Sequence, residues 1–278
     1  PGLRLPRRPM TTEPRRPSAT GQSTTSDGWA VNGALLRFFL RTLLGRRRTL
    51  VVAVFCLLPV AVAGLVRVGG PPGETQATIV GLSNFLVVAV VLPIVGLVFG
   101  TAVLGSAIED RTIVTILATP VGRARIAVLA AVVAVAVTAL FVVPSGGLAI
   151  ALLGAEAGIL WPLPVLAGGW LLGALCYGGL FVALGTLTRR ALVVGLLYVS
   201  LWEGSLSALF PGAGVISIRR YIEAVTVGLA DALGAPPDVV PRGELAPGDG
   251  LLLAAAVVSV AVVLAARRVA RLELAGVD

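Results

Sequence analysis

The chain has 278 residues, 57% of them hydrophobic and only 13% charged, with a mean hydropathy of +0.98. That is too little charge to clothe a water-soluble domain of this length. Histidine is absent and all 22 basic residues are arginine, which removes imidazole metal sites, histidine general bases and histidine-ligated haem. The formal charge of +8 sits beside apolar runs, a pattern for a membrane surface and not for nucleic acid.

In chain order, residues 1–30 are polar and rich in Pro and Arg, and read as a disordered cytoplasmic tail. Residues 31–48 follow as an amphipathic interfacial helix. Leu35, Leu36, Phe39, Leu40 and Leu43 can share one face, Arg37 and Arg41 lie off it, and Arg46, Arg47 and Arg48 close the segment. The Arg pair interrupts the apolar run, which favours a separate surface helix over an inward extension of the first span.

Long apolar runs then predict an all-α polytopic membrane protein with six transmembrane helices, at about 49–66, 79–104, 126–153, 165–187, 191–210 and 250–266. Lipid offers the backbone no water to bond, so such runs must be helical. Barrel strands would alternate apolar and polar residues, and no such pattern occurs. Pro144 and Gly146-Gly147 predict a bend in the third helix.

The arginines give the expected orientation. With the N-terminus inside, eighteen of the 22 basic residues fall in cytoplasmic segments: those before the first span, Arg111, Arg123 and Arg125, Arg189 and Arg190, and Arg267, Arg268 and Arg271. Both termini are then cytoplasmic. The only long outer loop is 211–249, whose segment 216–233 has an amphipathic helical pattern. Cys56 and Cys176 lie in apolar runs, without metal-site or disulfide spacing, and read as small core residues.

Two places carry functional expectations. The first is the second-to-third connection, where Glu109, Asp110 and Arg111 close one span and Arg123 and Arg125 open the next. Between them Ile113, Ile116 and Leu117, bounded by Pro120, suit a short helix under the membrane whose apolar face needs a partner. The second is Glu203, the acid well inside a span, next to Trp202. A charge there must face protein or water. It reads either as a polar contact in a translocation path or gate, or as a structural hydrogen bond to a neighbouring helix. Gly96-x-x-x-Gly100 and Gly169-x-x-x-Gly173 permit close helix contact, a spacing common in glycine-rich spans.

The second-to-third connection resembles that of ABC-2-type permeases, whose pattern is roughly Glu, Gly-Thr, an apolar pair, then Pro-Val-x-Arg. Glu109, Thr112, Ile116, Leu117, Pro120, Val121 and Arg123 match it, while Arg111 stands where the family often has Gly. Leu197 to Gly204 and Ser217 to Tyr221 are also similar to the family.

The resemblance implies the membrane subunit of a bacterial ABC exporter in the cytoplasmic membrane. It further implies a coupling loop over Glu109, Thr112, Ile113, Ile116, Leu117, Pro120 and Arg123, and a path between two permease copies lined by the second and fifth spans. The expected partners are two copies of an ABC ATP-binding subunit, a second permease copy (identical or a close paralogue), and the lipid bilayer. No Gly-x-x-x-x-Gly-Lys-Ser/Thr loop occurs, and the chain has no lysine to complete one. The chain is therefore expected not to be an enzyme and to carry no cofactor, with ATP and Mg bound by the partner ATPase. An ion-coupled secondary transporter is the alternative; it would need coupling-ion sites and, usually, inverted repeats.

Overall fold

The computed structural model describes residues 25–69, 75–109, 122–155, 158–206, 216–235, 243 and 245–271, and every regular element among them is helical. Five helices are long and apolar enough to cross a membrane: Arg47–Gly69, Thr75–Ile108, Arg123–Gly154, Pro162–Leu187 and Pro247–Arg271. The chain is a multi-pass membrane protein. Where a fifth span is expected, the shorter apolar helix Ala191–Glu203 stands, and residues 207–210 lie outside the described residues.

The elements are α1 (Thr25–Leu43), α2 (Arg46–Gly69), α3 (Thr75–Leu82), α4 (Leu92–Glu109), α5 (Arg123–Gly154), α6 (Pro162–Leu187), α7 (Ala191–Leu197), α8 (Ile218–Ala232) and α9 (Pro247–Arg271). A π-helical stretch, Ser83–Val91, joins α3 to α4, and a second, Tyr198–Leu206, extends α7. In the first, the Leu92 amide reaches back five residues to the Val87 carbonyl. Such wide turns are rare and recur at functional positions.

Helix α1 is separated from α2 by a break at Leu44-Gly45, and it starts at Thr25, inside the stretch read as tail. Arg46, Arg47 and Arg48 open α2 and do not close α1. The apolar face of α1 is covered by protein as well as available to lipid: Leu35, Phe39 and Leu43 are buried, and α1 packs on α5 and α4. Leu36 and Phe38 remain exposed.

Glycines set the centre of the bundle. Between lipid-soluble helices there is no hydrophobic drive to pack, so close van der Waals approach must supply the contact energy. A methyl on Gly100 would sit 2.7 Å from Phe181 Cβ, and one on Gly185 2.7 Å from the Thr101 carbonyl oxygen. Gly96 faces Tyr177 and Gly105 faces Gly185 in the same way. Partners advance together along α4 and α6, so these two helices run parallel.

The same reasoning orders the rest. Ser145 donates to the Cys56 carbonyl and Arg67 donates to the Leu152 carbonyl, so α2 and α5 run parallel. Gly179 faces Ala261 and Arg268 Nε donates to the Thr186 carbonyl at 3.4 Å, so α6 and α9 run parallel. Gly146 against Trp170 and Gly178 against Val135 make α5 antiparallel to α6. Pro144 lies inside α5, which continues through it to Gly154. Helices α2 and α9 are peripheral and turn large apolar side chains outward, with Leu65 74% and Leu252 71% exposed; in a membrane these face lipid.

Helix α8 occupies part of the segment 216–233. Ile222 and Thr226 contact Gly169 and Gly173 of α6, and Leu229 contacts Gly168, so α8 lies along the first half of α6. Both glycine pairs noted in the sequence are thus helix-contact sites.

Candidate functional site: the arginine-rich end and the buried Glu203

Among the described residues, the helix directions gather most of the arginines at one end of the bundle. The start of α2 with Arg47 and Arg48, the start of α5 with Arg123 and Arg125, the Arg189-Arg190 turn and the end of α9 with Arg267, Arg268 and Arg271 all lie there. Arg48, Ser106, Thr188, Arg189 and Arg190 line one cavity, which ties α2, α4, α6 and α7 together at this end. Arg67 lies at the other end, beside Leu152. Arg37 and Arg41 are exposed on α1.

The expected coupling loop leaves the bundle at the same arginine-rich end. Glu109 is the last residue of α4 and Arg123 the first of α5. Gly122 stands before α5 and accepts amide hydrogen bonds from Arg125 and Ile126 at 2.9 and 3.2 Å. Arg123 is half-buried. Thr112, Ile113, Ile116, Leu117 and Pro120 lie outside the described residues.

Glu203 lies in the π-helical stretch and is buried. Its Oε1 accepts hydrogen bonds from the Tyr198 hydroxyl at 3.1 Å and the Ile218 amide at 2.8 Å. Its Oε2 accepts from the Ser217 hydroxyl at 2.8 Å. Tyr177 of α6 lies close to it. The carboxylate therefore caps the first amide of α8, where the helix dipole favours negative charge, and links α8 to its own helix. Ser217 makes no cap bond of its own; Glu203 replaces it.

The neighbouring Trp202 is half-buried, and its indole nitrogen is buried without an acceptor among the described residues. Sequence reasoning found Glu203 but not its donors. Ser217 and Ile218 follow Glu203 by more than a dozen residues, so only the Ser before an amphipathic helix hinted at a cap.

Among the described residues no group of three His, Cys, Asp or Glu side chains is placed to hold a metal ion. No protein-family model and no curated protein sequence matches the chain.

Proposed function

We propose that the chain is the membrane-spanning permease subunit of an ATP-driven ABC exporter of the ABC-2 type, with six crossings and both termini in the cytoplasm. The observation that carries this reading is the Glu109–Arg123 connection, which joins α4 to α5 at the arginine-rich end. A pattern resembling an ABC coupling loop thus emerges where the positive-inside rule puts the cytosol.

The helix directions support the sixth crossing. Because α6 and α9 run the same way, a return of the chain across the bilayer between them fits their directions. Gly195 contacts Leu184, Glu203 meets Tyr177, and Leu229 reaches Gly168, so α7, its π-helical extension and α8 climb back along α6. The second and fifth spans, which would line the substrate path between two permease copies, are the two that carry π-helical stretches. In this reading Glu203 acts by positioning α8 at the outer side and does not touch substrate. ATP binding and hydrolysis belong to two separate ATPase subunits, whose closure moves the coupling loops and rearranges the helices.

Ile113, Ile116 and Leu117 would enter a groove on the ATPase, each contributing on the order of 1.5–3 kcal/mol if fully covered. Glu109 and Arg123 would sit at its rim and orient the contact. The test is to co-express the chain with the ATPase encoded beside it and to change Ile116 and Leu117 together to Asp. The expected result is loss of ATPase co-purification with normal membrane insertion. Normal partner stoichiometry together with normal transport in the double variant overturns the coupling assignment.

A further inference from the structure

The cavity at the arginine-rich end has a volume of about 320 Å³, and its lining includes Arg48, Arg189 and Arg190 together with Ser106 and Thr188. Arginines at a membrane boundary are ordinarily only a topology signal. Here they do more than edge the membrane, because they come from two distant parts of the chain and share one concavity. Its lining includes a close crossing of α4 and α6, where Gly105 meets Gly185 and Gly185 meets the Thr101 backbone. Any larger residue at Gly185 would force α4 and α6 apart and change that lining.

The chemistry of the lining is one-sided. Among the residues whose side chains are described, no carboxylate lines the cavity or pairs with its three arginines. Thr188 Oγ1 accepts from the Arg190 amide at 3.2 Å, which leaves the hydroxyl proton free to donate. Three guanidinium groups and a hydroxyl are a donor set for a tetrahedral oxyanion, and planar guanidinium groups grip phosphate with paired bonds. The rest of the lining is partly apolar: Val98, Leu192 and Val193 contribute to it, and the two α7 side chains are exposed. The volume falls in the range of about 300–1,000 Å³ typical of small-ligand sites.

A cavity whose lining combines arginines with exposed apolar side chains matches an amphiphile, not a free ion. We propose that this cavity binds the phosphate headgroup of an anionic membrane phospholipid, with Arg48, Arg189 and Arg190 as its ligands and the acyl chains lying along Leu192 and Val193. The inference stands independently of the exporter reading, since it uses only residues of this chain and the bilayer around it.

Native mass spectrometry of the full chain in detergent tests it, with phosphatidylglycerol, phosphatidylcholine and inorganic phosphate as probes. Phosphatidylglycerol should be retained in preference to phosphatidylcholine. Arg189→Gln with Arg190→Gln should weaken its binding by about tenfold or more, as expected for the loss of charge-assisted bonds. Arg48→Gln, on a different helix and flanked by Arg46 and Arg47 that keep the orientation, should weaken it several-fold and serves if the double variant inserts poorly. Arg67→Gln, at the other end, should leave it unchanged. Equal retention of both lipids, or phosphatidylglycerol binding that none of the cavity variants alters, overturns the proposal. Displacement of the lipid by millimolar inorganic phosphate, with the same dependence on the three arginines, would make this an anion site and overturn the lipid assignment.

Discussion

The carboxylate of Glu203 lies 2.8 Å from the amide nitrogen of Ile218, and so a side chain in the fifth apolar helix serves as the N-cap of the helix that follows it. The segment between the two elements, 207–215, lies outside the described residues. Two further donors, Tyr198 and Ser217, bond to the same carboxylate, so both of its oxygens are engaged.

This predicts a graded response to substitution. Glu203→Gln keeps an acceptor for Ile218 and should cost about 1–2 kcal/mol. Glu203→Leu strands the Ser217, Tyr198 and Ile218 donors in a buried site and should cost about 3 kcal/mol or more. Thermal denaturation in detergent, followed by size exclusion, gives the order. Equal stability of wild type and Glu203→Leu would mean that the carboxylate does not anchor α8.

Gly146 and Trp170 form a second testable pair. A methyl on Gly146 would meet the six-membered ring of the Trp170 indole at 2.5 Å, and Trp170 Nε1 donates to Ser83 Oγ at 3.1 Å. Gly146→Ala should therefore destabilise by about 1–3 kcal/mol through overpacking. Trp170→Phe gives up the bond to Ser83, at about 1 kcal/mol, and vacates the space the methyl needs. The double variant should be more stable than the sum of the two predicts, with a coupling of about 1–2 kcal/mol. Gly81→Ala, with open space around its Cβ position, is the control and should change stability by no more than about 1 kcal/mol. Strict additivity in the cycle would remove the contact from the account of the bundle.

Orientation can be read with an impermeant thiol reagent on intact cells. The native Cys56 and Cys176 are buried, so background labelling should be low. Leu233, exposed just beyond α8, and Gly122, exposed before α5, are the reporter sites. Leu233→Cys should label and Gly122→Cys should not. Ser217, in the same segment as Leu233, is a poor reporter because it is buried against Glu203. Labelling of Gly122→Cys alone would invert the assignment of sides.

Much of the architecture was legible in the residues themselves. Lipid imposes its demand on each segment separately: a run such as Val51 to Val66 must be helical wherever it packs, so composition places it. The boundaries of the long helices fall within a few residues of the apolar runs, because charges such as Arg48 and Arg123 mark where the bilayer core ends. Residues 110–121, which carry the resemblance, remain readable only as sequence.

What the sequence by itself determined was therefore the membrane class, the positions of the long spans and the concentration of arginine at alternate connections. Tertiary structure alone decided which faces of those spans meet. An apolar side chain is equally at home against lipid or against a neighbouring helix, so hydropathy does not distinguish the buried Phe99 from the exposed Phe85. The parallel pairing of α4 with α6 depends on glycines about eighty residues apart meeting at one crossing. The protein cover on Leu35, Phe39 and Leu43 depends on where α5 and α4 lie, and the shared cavity of Arg48 with Arg189 and Arg190 on a turn far along the chain. These are relations of distance between remote segments, which no local pattern encodes.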